Sequence, residues 1–252
     1  MATKTLIGAI AMAILTVTCT DGNAESPSVY RATLAETGQK TKEVSTEEVK
    51  QILGDGSAIL LDTRSPAEFE AGHIPGARHL DGPAAGHVAA VERLVNGDKS
   101  KPLVLYCNGP YCQASRRLAD QLIAAEYTQV RRYQLGIPVW RALGGPVAIE
   151  LGGIARVVGA DQTAVLLDAR PPTEFAKGTL AGARNLPADE FAAGQVTKIP
   201  LPDDDFNRRV IIFGRDAAQA RQLADLMGRR PWHNVGYFPG AFEALAVKLR
   251  DR

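Results

Sequence analysis

Residues 60–78 read LLDTRSPAEFEAGHIPGAR, and residues 166–184 read LLDARPPTEFAKGTLAGAR. At one constant offset Leu60, Leu61, Asp62, Arg64, Pro66, Glu68, Phe69, Gly72, Gly76, Ala77 and Arg78 all recur. A repeat this long, used only twice, points to duplicated domains, because a solenoid needs more units to bury a continuous core. Each copy then spans ~100 residues, a size able to bury a core of its own. Chain breakers cluster at Gly144-Gly145-Pro146, so the units fall at residues 43–147 and 149–252.

Within each copy, short apolar runs alternate with helical segments. In the first, Ser45-Thr46-Glu47-Glu48 opens a helix with a capping box, and Ser65-Pro66 opens another with proline in its first turn. Ala58–Asp62, Pro102–Tyr106 and Val130–Tyr133 are too short and apolar for surface helices and read as buried strands. In the second, Ala164–Asp168, Val210–Phe213 and Asn234–Tyr237 are the corresponding strands, and Ala217–Gly228 the main helix. Strands separated by helices imply an α/β fold, a mainly parallel sheet flanked by helices in each unit.

Totals narrow the function. Hydrophobic residues make up 45% of the 252-residue chain and charged residues 23%, which is globular composition rather than disorder. The formal net charge is +1, so no broad field attracts nucleic acid or anionic lipid. Lys4 followed by the uncharged run Leu6–Leu15 and the small residues Gly22-Asn23-Ala24 reads as a signal peptide over 1–24, cleaved near Ala24. That run is short of the ~20 residues a bilayer span requires, and the mature chain is expected to carry no span. Cys19 admits lipid anchoring as a less favoured alternative, since Thr16 stands where lipoprotein processing favours Leu. The expected location is periplasmic or secreted.

Without Cys19 the mature protein keeps Cys107 and Cys112, both in Leu103-Val104-Leu105-Tyr106-Cys107-Asn108-Gly109-Pro110-Tyr111-Cys112-Gln113-Ala114. A bridge there would close a very small loop and stabilise little, so the pair reads as chemistry rather than a staple. A buried strand ends at Cys107, a loop follows, and a helix begins near Gln113. Sites in parallel sheets lie at the carboxyl ends of strands, where loop amides and a helix N-terminus favour an anion. Such a setting lowers a thiol's pKa and would hold the charge of a persulfide. Asn108, Gly109, Tyr111, Cys112 and Gln113 are the candidate substrate-binding residues around the nucleophile Cys107.

The ordered blocks Asp62-x-Arg64, Glu68-Phe69, Gly72-His73-Ile74-Pro75-Gly76-Ala77 and Leu135-Gly136-Ile137-Pro138-Val139-Trp140 resemble the rhodanese family over most of residues 43–252. Cys107 falls where that family keeps its catalytic cysteine. The resemblance implies transfer of sulfane sulfur from a donor such as thiosulfate, through a Cys107 persulfide, to cyanide or a thiol. Two departures stand out. The family's loop commonly ends in Arg, where this chain has Cys112, and Pro110 removes one amide donor. Both weaken the cradle for a dianion such as thiosulfate. Cys112 also opens two further possibilities, attack on the Cys107 persulfide or a reversible bridge with Cys107.

The second copy has no cysteine, and the nucleophile's place falls to Phe213 or Gly214. That unit is expected to be catalytically silent, packing against the first and shaping its site. Two-domain rhodaneses usually carry the active cysteine in the second unit, so the arrangement looks reversed. Asp62 and Arg64 recur in the silent copy as Asp168 and Arg170, which favours a supporting, structural role. His73 reads as a turn-stabilising residue, Trp140 and Phe242 as core aromatics, and Arg116 and Arg117 as helix-surface residues beside the loop. No residue set has metal-ligand spacing and no phosphate loop appears, so neither metal nor cofactor is expected. A phosphatase would need Arg where Gln113 stands. A redox or sulfur-binding module built on Cys107 and Cys112 is the remaining alternative.

Overall fold

A computed structural model describes residues 37–161 and 163–250. The expected signal segment, Cys19 and the last two residues lie outside that range. The first unit comprises β1 (Lys42–Glu43), α1 (Thr46–Asp55), β2 (Ile59–Asp62), α2 (Pro66–Ala71), β3 (Arg78–His79), α3 (His87–Leu94), β4 (Leu103–Tyr106), α4 (Ala114–Ala124), β5 (Val130–Tyr133) and α5 (Gly136–Ala142). The second comprises β6 (Val147–Ala148), α6 (Leu151–Arg156), β7 (Val165–Asp168), α7 (Pro172–Phe175), β8 (Arg184–Asn185), α8 (Ala188–Ala192), β9 (Val210–Phe213), α9 (Ala217–Met227), β10 (Val235–Tyr237) and α10 (Phe242–Arg250).

Each unit holds one five-stranded sheet, ordered β1-β5-β4-β2-β3 and β6-β10-β9-β7-β8, and every strand pairing is parallel. The two orders correspond strand for strand, as the duplication requires. β6 begins at Val147, so the residue that closes the first repeat in the sequence pairs into the second sheet. The central strands β4 and β9 are buried at every position. Helices on both faces leave them no polar side, which is why LVLY and VIIF read as unbroken apolar runs.

Local signals set the helix starts. Ser45 and Glu48 form the expected capping box at α1, and Ser65 and Glu68 form another at α2, with Pro66 in the first turn. The segment after α5 joins the units. His73 and Ala148 exchange backbone hydrogen bonds in both directions (2.9 Å each), and Glu150 N–H donates to the Glu70 carbonyl (3.0 Å). Arg156 pairs with Glu70 at 2.7 Å. One apolar core runs through both units, from Val49, Ile74 and Trp140 to Ile149, Ile211, Phe213 and Leu245. The expectation that the second unit packs on the first is met at this seam.

His73 is therefore a joint residue more than a turn residue. Its ring stacks on Phe69 at 3.7 Å, and its Nδ1 lies 3.0 Å from the Phe69 carbonyl. Burial pulls its pKa below the ordinary histidine value. Trp140 is core, as expected, with its indole N–H donating to the Pro146 carbonyl at 2.9 Å.

Behind the strand exit sits a buried ion pair. Asp62 is fully buried and Arg64 is 8% exposed. Arg64 Nη2 donates to Asp62 Oδ2 (2.5 Å) and to the Gly72 carbonyl (2.8 Å). Burial alone would lower the Arg64 pKa, but hydrogen bonding and charge from Asp62 reverse this and raise it. Removing one partner leaves a buried, uncompensated charge. Arg64→Ala should therefore lower unfolding free energy by about 3–5 kcal/mol, against under ~1 kcal/mol for Lys99→Ala in the exposed Lys99–Glu126 pair. Urea titration of both variants checks this, and equal losses would show that the buried pair has no special weight.

Candidate functional site

Cys107 directly follows β4, the middle strand of the first sheet, so its side chain emerges between the ends of β2 and β5. Residues 107–113 separate β4 from α4. Gly109 holds φ +98°, a left-handed conformation that turns the chain. Cys112 N–H then closes the turn by donating to the Gly109 carbonyl at 3.0 Å. Among the described residues, the amides of Asn108, Gly109 and Tyr111 donate to no acceptor. Gln113 stands at the N-cap of α4 and makes no side-chain capping bond. These donors and the start of an eleven-residue helix leave a local surplus of unpaired N–H groups around the loop.

The structure brings the candidate residues together with one addition: Cys107 and Cys112 are joined by a disulfide, with Cα atoms 6.1 Å apart. This is the bridge the sequence left open as a possibility. Cys107 is 3% exposed beneath it, while Cys112 is half-buried. Tyr111, at the loop's outer tip, is 96% exposed. Asn108 points sideways, with its side-chain amide donating to Glu68 Oε1 at 2.5 Å. The Ser65 hydroxyl, and after it the Asn108 amide, hold the Glu68 carboxyl below the usual carboxylate value. Arg116 does not lean toward the loop; its guanidinium donates to the Thr37 carbonyl at 3.1 Å.

Asp62 and Arg64 connect to the loop through Tyr106. Tyr106, the residue before the nucleophile, donates its hydroxyl to Asp62 Oδ2 (2.5 Å) and accepts from Ile74 N–H (3.1 Å). Burial first, and the Asp62 charge second, push the Tyr106 pKa well above the ordinary phenol value, keeping it a donor.

In the second unit, strand register settles the correspondence left open by the sequence. Asp62 pairs with Tyr106 and Asp168 with Phe213, so Gly214 stands in the place of Cys107. Only residues 214–216 separate β9 from α9. Asp216 caps α9 by accepting from Gln219 N–H (2.9 Å), which fills the helix end with a carboxylate. There is no thiol, and a carboxylate already occupies the helix end. Phe213 lacks the hydroxyl of Tyr106, and Thr179, in the place of His73, supplies the donor to Asp168 Oδ2 instead (2.7 Å). A cavity of about 700 Å³ in this unit, lined by Leu166, Arg170, Thr179 and Phe242 among others, lies away from the loop at Cys107. Among the described residues, no hydrogen bond from the second unit reaches residues 107–113.

Gly136 has a role that the local sequence around it does not reveal. Its φ is +62°, and a Cβ there would overlap the Cys107 carbonyl oxygen and the Gly109 nitrogen. The next amide, Ile137 N–H, donates to the Cys107 carbonyl at 3.1 Å. Glu68, a repeated position in the sequence, reaches the loop as well, by accepting from the Asn108 side chain. Among the described residues, no group of three His, Cys, Asp or Glu is placed to hold a metal ion, and no helix is long and apolar enough to cross a membrane.

A family model of the rhodanese-like domain matches residues 45–143 and 156–248. The thiosulfate sulfurtransferase GlpE of Pseudomonas putida is 31% identical over 101 residues, covering 40% of this chain and 86% of that protein. GlpE of Pseudomonas syringae is 33% identical over 94 residues, covering 37% and 82%. Among solved structures, a thiosulfate sulfurtransferase from Pseudomonas aeruginosa aligns over 81% of this chain and 44% of its own at 21% identity, with a TM-score of 0.38.

Substituting Gly136 tests the loop's seat. Gly136→Ala should destabilise the fold by more than ~1 kcal/mol, since Ala is strained at positive φ, and should speed alkylation of reduced Cys107 by displacing its loop. Labelling kinetics at matched temperature would show this; wild-type labelling with wild-type stability would mean the contact does not position the loop.

Proposed function

This chain belongs to the rhodanese-like domain family through two matched units, and from that premise we propose that it is a sulfurtransferase working through a persulfide on Cys107. The observation that carries the reading is the seat of Cys107, at the end of the central strand with unpaired amides and an uncapped helix around it. The named activity of the Pseudomonas relatives supports it. The Cys107–Cys112 bridge must first be reduced. The Cys107 thiolate then attacks the outer sulfur of a donor such as thiosulfate, the donor's S–S bond breaks, and sulfite leaves with the electron pair. Loop amides and the head of α4 stabilise the negative persulfide. Cyanide or a thiol attacks the outer sulfur and restores the thiolate.

Asn108, Gly109, Tyr111, Cys112 and Gln113 surround the donor in this reading, and Asp62 with Arg64 holds the strand exit behind it. No arginine clamps the donor, which predicts weak binding of a dianion. The reading requires no cofactor. Residues 1–24 direct export, with the mature protein acting in the periplasm or outside the cell; lipid attachment at Cys19 is the lesser alternative. The bridge itself favours a second reading, a redox or sulfur-binding module without turnover.

Reduced protein incubated with thiosulfate and excess cyanide should form thiocyanate, and Cys107→Ala should form none above background. The tryptic peptide containing Cys107 should gain one sulfur when cyanide is omitted from the Cys112→Ser protein. Absence of thiocyanate with several sulfane donors would leave only the module.

A further inference from the structure

The structure joins a second cysteine to Cys107, and transfer to an outside acceptor gives that second thiol no chemical step of its own. We propose that Cys112 is a resolving thiol: it attacks the Cys107 persulfide and releases the carried sulfur as hydrosulfide. The proposal rests on the sulfurtransferase reading of Cys107.

Three observations carry it. First, the loop already bends residue 112 back over residue 107, through the positive φ of Gly109 and the Cys112 N–H to Gly109 carbonyl bond, and the two sulfurs are bonded. The bridged state is the product such an attack would leave. Second, the bridge is a poor staple. Its cysteines are five positions apart, and the segment's ends are already held by β4 and α4. Third, exposure is divided between the two sulfurs in the way resolution needs. Cys107 is 3% exposed, whereas Cys112 is half-buried beside the fully exposed Tyr111. An outside thiol therefore meets Cys112 first, and Tyr111 offers it an aromatic surface.

The step balances. The Cys112 thiolate attacks Cys107 Sγ, and a bond forms between the two cysteine sulfurs. The bond from Cys107 Sγ to the outer sulfur breaks, and that sulfur leaves with the electron pair, taking up the proton Cys112 lost. Sulfane sulfur is reduced to hydrosulfide, and the two cysteines are oxidised to the bridge. A dithiol, small or protein-borne, then attacks the more accessible Cys112 sulfur, returns both thiols and becomes a disulfide itself. Over one cycle, thiosulfate and a dithiol give sulfite, hydrogen sulfide and the dithiol's disulfide.

The test is a single turnover with the full chain, reduced, freed of reductant, kept anaerobic and given thiosulfate. Wild type should release sulfite and hydrosulfide in equal amounts and end with the Cys107–Cys112 bridge, read from the unreduced peptide's mass. Cys112→Ser and Cys112→Ala should release at least ~10-fold less hydrosulfide for each sulfite formed, with one extra sulfur retained on Cys107. Wild type that releases sulfite yet keeps the persulfide would overturn the proposal while sparing the sulfurtransferase reading. So would variants that release hydrosulfide as fast as wild type. Sulfite from none of the proteins would remove that parent reading, and the resolving role with it.

Discussion

A carboxylate and a guanidinium, both taken out of water, fix the exit of β2, and much of the molecule is built from that point. Charges so buried persist only with close partners. Arg64 takes Asp62 with one side of its fork and reaches the Gly72 carbonyl with the same Nη2. The strand exit and the turn after α2 thereby become one rigid piece. On one side of that piece Tyr106 ties Asp62 to the last residue of the central strand, immediately before Cys107. On the other side His73 pairs with Ala148 and carries the second unit. Nucleophile and domain seam hang from the same pair.

The duplicate shows which parts of this arrangement are structural. Asp168 and Arg170 repeat the pair, down to the bond from Arg170 to the Gly178 carbonyl. The third donor comes from a different place, Thr179 in one unit and Tyr106 in the other, so the carboxylate's demand is met by whichever neighbour is available. The site is not repeated. A shorter connection after β9 removes the loop, and Asp216 supplies to its own helix the negative charge that α4 leaves to a ligand. The missing thiol at Gly214 and the helix cap at Asp216 lie two residues apart in the same shortened connection.

In the first unit the unoccupied helix end, the unpaired amides and the thiol coincide, and the bridge covers all three. A structural disulfide gains most by holding distant segments together. This one joins neighbours whose positions the sheet and helix already fix. Cys112 is the more exposed of the bridged pair, so an outside reductant meets it before Cys107. A loop without an arginine offers a dianion no bidentate partner.

The sequence by itself determined the duplication, the α/β class, three of the five strands in each unit and the cysteine that ends the central strand of the first. Each of these is written in local pattern: apolar runs of four, serine–glutamate capping boxes, a cysteine at the end of a strand. Boundaries shifted by only a residue or two, as at α1 and β2, because caps and apolar edges are local as well. The tertiary structure decided the rest, because the rest consists of contacts between segments far apart in the chain. Asn108 finds Glu68 forty residues away, and Tyr106 finds Asp62 at forty-four. Gly136 matters only because another loop's carbonyl lies where a methyl would go, and His73 joins two units only because Ala148 arrives beside it. Periodicity cannot encode such meetings; close packing of the folded sheets produces them.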